Sequence, residues 1–205
     1  MRYKYRQWAV DYLDVHPEVV LEQIDFSDAF FKAKPLRVEI GSGKGDFIIA
    51  MAKKYPDKNF LAVERVRTVA GMMVKKIVEE GLDNVKIFPN DINIIFEEIK
   101  DESLDEIYLN FVDPWPKKRH AKRRLTFIDK LNQYYRILKV GGFVKFKSDN
   151  DGLFAYTVEE FQNTKFKIII VEEKYEFDEA NDAMSEYERK FRELGQNIHR
   201  IIAQK

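Results

Sequence analysis

Residues 36–51 read as a strand that breaks into a glycine turn and resumes at once as a helix, and this order restricts the chain to an α/β fold. The strand Leu36–Ile40 is followed by Gly41-Ser42-Gly43-Lys44-Gly45-Asp46, and then by Phe47, Ala50 and Met51 at helical spacing. Glycines at such a turn let the backbone reverse sharply and approach a ligand more closely than any β-carbon permits. Further short apolar runs at residues 60–63, 85–88, 106–111 and 142–147 read as strands, with helical stretches between them. The clearest helix carries Val66, Val69, Ala70, Met73, Val74, Ile77 and Val78 on one face and stops at Gly81. A second carries Ile128, Leu131, Tyr135 and Leu138 and ends before Gly141 and Gly142, and a third follows near residues 151–163. This alternation predicts a mostly parallel sheet covered by helices. Two late runs, residues 166–171 and 198–203, are expected to close it as an antiparallel pair.

With 205 residues, 45% of them hydrophobic, one domain over residues 1–205 is expected. Residues 1–34 lack a strand signal and bring Arg2, Lys4 and Arg6 beside Tyr3, Tyr5 and Trp8, an expected N-terminal arm or cap. The absence of cysteine excludes disulfides, thiolate metal sites and a cysteine nucleophile. No apolar run approaches the roughly 18 residues of a membrane span, and the first residues lack a signal-peptide core. The reading is a soluble, cytoplasmic protein with no membrane partner. The histidines, His16, His120 and His199, are too scattered to imply a metal site.

Neither phosphate-binding motif fits the glycine turn. A dinucleotide fingerprint needs glycine where Asp46 stands, and a P-loop needs Ser or Thr after Gly43-Lys44, where Gly45 stands. Instead Glu39 precedes the turn, Glu64 ends the second strand and Asp91 follows the third. Acids at strand ends reach ribose hydroxyls. Three acids with Gly41, Gly43 and Gly45 suit an adenosine ligand that carries positive charge and no phosphate, and S-adenosylmethionine is such a ligand.

The fourth strand runs into Val112-Asp113-Pro114-Trp115-Pro116 and then into residues 117–124, which hold six Lys and Arg plus His120 and no acid. Overall, 35 basic residues balance 35 acidic ones, so this local excess stands out as a seat for a polyanion. Two prolines stiffen the exit from the strand, and Trp115 between them offers a flat surface for a base.

In their order along the chain, the strings Glu39 to Gly45, Asn110 to His120 (NFVDPWPKKRH), Phe146-Lys147-Ser148-Asp149-Asn150 and Ser185-Glu186-Tyr187-Glu188 resemble those of bacterial tRNA (guanine-N7)-methyltransferases. The resemblance covers nearly the whole chain. It implies a class I S-adenosylmethionine-dependent methyltransferase fold, Rossmann-like, in which Glu39, Glu64, Asp91 and Asp113 border the cofactor and Asp113 is the active-site aspartate. Lys117, Asp149 and the segment of Ser185, Tyr187 and Glu188 match its tRNA or guanine contacts, and Arg119, Lys122, Arg123 and Arg124 match its RNA-interacting stretch. Ser185 and Ser148 stand where the family commonly has Thr, and both keep a hydroxyl. The implied reaction forms 7-methylguanosine in tRNA, with the variable loop as the expected place and with no metal or protein partner. Either Asp149 or Glu188 is expected to accept hydrogen bonds from the guanine edge.

Readings from other classes are separable. An adenine amino-methyltransferase carries Asp/Asn-Pro-Pro-aromatic after the fourth strand, against Asp113-Pro114-Trp115 here, and methylates an exocyclic nitrogen. A dehydrogenase fails at Asp46, and a non-catalytic RNA-binding module has no use for Glu39, Glu64 and the glycines.

Overall fold

A computed structural model describes residues 4–205, so Arg2 and Tyr3 of the N-terminal cationic and aromatic run lie outside the described residues. The fold comprises two compact units, Met1–Lys100 and Asp101–Lys205.

The first unit contains α1 (Gln7–Asp14), α2 (Ala29–Ala33), β1 (Leu36–Ile40), α3 (Asp46–Lys54), β2 (Asn59–Val63), α4 (Arg67–Glu79), β3 (Val85–Phe88) and α5 (Ile92–Glu98). Its strands are parallel in the order β3-β2-β1, with Ile40 opposite Val63 and Val63 opposite Phe88. The middle strand β2 is buried at all five positions, as a parallel strand covered on both faces must be. On α4, Val69, Ala70, Met73, Val74 and Ile77 are buried, as the apolar spacing predicts, and Gly81 takes the left-handed conformation at φ 62 beyond the helix end. Helix α1 buries Ala9 and Leu13 and lies against α4. Gly71 makes that crossing possible, because a β-carbon there would stand 1.7 Å from the Ala9 carbonyl oxygen.

The second unit contains β4 (Leu104–Asn110), a 3-10 helix (Lys118–Arg123), α6 (Ile128–Ile137), β5 (Leu138–Ser148), α7 (Asp151–Gln162), β6 (Lys167–Glu172), α8 (Glu186–Glu193) and β7 (His199–Gln204). Strand order is β4-β5-β7-β6; β4 and β5 are parallel, whereas β7 runs antiparallel to both neighbours. The expected antiparallel C-terminal pair is therefore present.

Three boundaries differ from expectation. Strand β4 starts at Leu104, which pairs with Leu138, and after a register shift Glu106 pairs with Phe143. Strand β5 begins at Leu138, which the sequence places on the preceding helix, and so takes in Gly141 ahead of the expected start at residue 142. Strand β4 also stops at Asn110, because Phe111 turns to φ 52. Helix α6 buries Leu131, Tyr134 and Ile137, and Tyr135 instead packs edge-on against Phe166 with ring centroids 5.1 Å apart.

Candidate functional site

The glycine turn of the first unit is held in one shape by its neighbours. Gly41, Gly43 and Gly45 have φ of 77, 56 and 81, a region that costs an L-residue roughly 1–2 kcal/mol. Gly45 is also sterically required, since a β-carbon there would meet Met73 Cγ at 2.4 Å. The Gly41 and Ser42 amides donate to Val63 O at 2.8 and 3.2 Å, joining the turn to the end of β2. Lys76 Nζ donates to Lys44 O and to Asp46 Oδ1, both at 3.0 Å, bracing the far side.

The three acids differ in their surroundings. Glu39, at 2% exposure, is buried in β1. Glu64 is nearly buried and accepts from two backbone amides, Gly43 N on Oε2 and Val66 N on Oε1, each at 2.9 Å. Its carboxylate is thereby fixed against the glycine turn. Asp91 caps α5, accepting from Asn93 N at 2.9 Å, so part of its value is the ordinary one of an N-cap. Carboxylates and positive-φ glycines at the carboxyl ends of neighbouring parallel strands form a cradle whose side-chain lining from Glu39, Glu64 and Asp91 is acidic. That donor set fits a phosphate-free, positively charged adenosyl group.

In the second unit, Asp113 lies exposed on the loop after β4, between two residues in the left-handed region, Phe111 at φ 52 and Trp115 at φ 41. Non-glycine residues in that region cost on the order of 1–3 kcal/mol and persist only where the surroundings over-determine them. The Phe111 amide donates to Lys147 O at 2.8 Å, anchoring the start of the loop to β5. Trp115 is half-buried, with His120 edge-on at 5.7 Å and the Arg123 guanidinium 5.0 Å from its ring centre.

Lys117, Arg119, Lys122 and Arg123 are exposed along the 3-10 helix and its start. Arg124 departs from the rest of the basic run. Its guanidinium turns back onto the loop, donating to Pro114 O and Trp115 O at 3.0 Å each, and lies 4.1 Å from the Tyr156 ring centre. Adjacent arginines in a charge run look alike in sequence, and only the extended backbone of Arg124 beyond the 3-10 helix separates them.

Asp149 follows the last residue of β5 and is half-buried. The neighbouring Asn150 side chain caps α7, accepting from Leu153 N at 2.8 Å. Ser185 is the N-cap of α8, its Oγ accepting from Glu188 N at 3.1 Å, so the Ser-x-x-Glu string is also a helix-start signal. Glu188 does not reach back to complete a capping box. It is fully buried, with Lys147 Nζ at 2.7 Å on Oε2 and Arg192 Nη2 at 2.9 Å on Oε1. Lys147 Nζ further donates to Asp182 Oδ2 at 2.9 Å and to Ala183 O at 3.1 Å. The Tyr175 hydroxyl donates to the same Asp182 oxygen at 2.8 Å, and burial pushes its pKa well up. Lys147, Asp182 and Tyr175 thus form a buried network that nothing in the local sequence announces. Among the described residues, no group of three or more His, Asp or Glu side chains is placed to hold a metal ion, and no helix is long and apolar enough to cross a membrane.

The model of a putative methyltransferase family matches residues 33–201. The tRNA (guanine-N(7)-)-methyltransferase of Lactobacillus delbrueckii subsp. bulgaricus is 43% identical over 213 residues, covering 99% of this chain and 98% of that protein. The chain belongs to the tRNA (guanine-N7)-methyltransferase family. A Staphylococcus epidermidis enzyme with the same description is 42% identical over 212 residues, covering 99% of this chain and 97% of its own length. Solved methyltransferases share the fold at much lower identity. An antibiotic-related methyltransferase aligns at TM-score 0.67 with 16% identity over 90% of this chain and 96% of its own. A SAM-dependent methyltransferase from Aquifex aeolicus aligns at 0.59 with 13% identity over 98% of each chain. The α/β class expected from the glycine turn, and the S-adenosylmethionine-dependent methyltransferase fold implied by the resemblance, agree with these matches.

Proposed function

We infer that this chain transfers a methyl group from S-adenosylmethionine to N7 of a guanine in tRNA, forming 7-methylguanosine, in the cytoplasm and within the variable loop. The observation that carries this reading is near-full-length identity of 43% to an enzyme of that name. Bound S-adenosylmethionine supplies an electrophilic methyl group. Glu39, Glu64, Asp91 and the glycines at 41, 43 and 45 are the residues to hold it.

Guanine N7 carries an in-plane lone pair and needs no deprotonation, so the protein's task is positioning and charge stabilisation. Asp113, exposed on a bent and braced loop, faces the positive charge that develops on the methylated ring. The guanine edge falls to Asp149, because Glu188 already serves Lys147 and Arg192 in a closed interior. Glu188 and Ser185 then shape the segment that carries Tyr187. Lys117, Arg119, Lys122 and Arg123 meet the tRNA backbone.

The position is read by borohydride reduction and aniline scission of tRNA treated with enzyme, chemistry that cuts at 7-methylguanosine. A single cut in the variable loop is expected; a cut elsewhere relocates the substrate guanine, and no cut contradicts N7 transfer. Glu64→Ala is expected to weaken S-adenosylmethionine binding by about 1.5 to 3 kcal/mol, the worth of hydrogen bonds to a charged acceptor. Calorimetry without tRNA measures it. An unchanged dissociation constant would remove Glu64 from the cofactor site.

A further inference from the structure

We propose that Arg124 is a positioning residue for methyl transfer, holding the loop of residues 113–115 in its bent form, and that it does not contact tRNA phosphate. The proposal rests on the reading of Asp113 as the catalytic carboxylate. Trp115 sits at φ 41, and the carbonyls on either side of its strained torsion, Pro114 O and Trp115 O, both receive the Arg124 guanidinium. Two donors in a fixed fork match two carbonyls, which a lysine point charge cannot reproduce. Pro114 and Pro116 restrict the φ torsions on either side, and Arg124 holds the two backbone carbonyls between them, whereas Arg123 and His120 meet only the Trp115 ring.

The strut is itself seated on α7. The Arg124 guanidinium covers Tyr156, Thr126 and Thr157 share a hydroxyl hydrogen bond at 2.9 Å, and Ile128 N donates to Glu160 Oε2 at 2.6 Å. Tyr156, Thr157 and Glu160 lie on one face of that helix, which begins two residues after Asp149. Burial and the nearby Glu160 push the Tyr156 hydroxyl pKa up to about 12. Arg124 is only half-exposed, in contrast to the exposed Arg123 beside it.

The test compares Arg124→Ala, Arg124→Lys and Arg123→Ala for turnover at saturating tRNA, for the dependence of tRNA affinity on salt, and for indole emission. Emission is read in a Trp8→Phe background, where Trp115 is the remaining tryptophan. Arg124→Ala and Arg124→Lys are expected to lower kcat about 100-fold, as an ångström of misplacement does, to shift the emission of Trp115, and to leave the salt slope at its wild-type value. Arg123→Ala is expected to flatten that slope by about one unit. If Arg124→Ala fails to fold, Arg124→Lys carries the test, since it keeps the charge and loses the fork. A flattened slope with kcat preserved in an Arg124 variant would make Arg124 a phosphate contact and overturn the proposal, as would wild-type kcat and emission in Arg124→Lys. Should Asp113 prove dispensable for turnover, the reading beneath the proposal fails, while emission and slope still report separately on the strut.

Discussion

Asp113→Ala is expected to lose turnover by about 100- to 1,000-fold, the cost of removing one group aimed at developing charge, while the melting transition stays that of the wild type. The separation of the two effects follows from place. Asp113 is exposed, and among the described residues its side chain makes no hydrogen bond or ion pair, so its removal leaves no buried group unsatisfied. The loop is held through other atoms, the Phe111 amide on Lys147 O and the Pro114 and Trp115 carbonyls under Arg124. Single-turnover methylation of tRNA with labelled S-adenosylmethionine, beside a thermal melt, measures both. Wild-type turnover in a folded Asp113→Ala protein would remove Asp113 from the mechanism.

Lys147→Met is expected to act in the opposite way, on stability first. Lys147 has a side chain 5% exposed and spends its three protons on Asp182, Ala183 O and the fully buried Glu188. Removing one partner of a buried pair costs about 3–5 kcal/mol, because the carboxylate left behind is desolvated. For a chain of this size that corresponds to a fall on the order of 10 °C in Tm. The double variant Lys147→Met, Glu188→Met is expected to recover part of the loss and not all of it, since the fully buried Glu188 carboxylate goes with its lysine while Asp182 and Arg192 each lose a partner. A Tm within about 2 °C of wild type for Lys147→Met would show that the network contributes little, in the way of an exposed pair.

The contrast between these two residues shows what can be read from sequence. Asp113 is legible because it stands in a short string with unusual neighbours, at the end of a strand whose apolar run is visible on its own. Strands β1 and β3 are legible for the same reason, as their limits coincide with local turn signals. Lys147 is illegible, although it lies two residues from Asp149, because its partners Asp182 and Glu188 are 35 and 41 residues away in sequence, and no local pattern says which acids a lysine will meet. Helix α8 escapes notice for a related reason: all its residues except Tyr187 and Phe191 are charged, so no apolar period marks it. The roles of Arg123 and Arg124 separate only when the 3-10 helix ends and the backbone extends, a fact of geometry that a run of like charges does not encode.

The most direct measurement is nucleoside analysis of bulk tRNA after incubation with pure protein and methyl-labelled S-adenosylmethionine. Label is expected in 7-methylguanosine alone. Label in a nucleoside methylated on an exocyclic nitrogen, or none incorporated by a folded protein that binds S-adenosylmethionine, would contradict the assignment of guanine N7 as the acceptor.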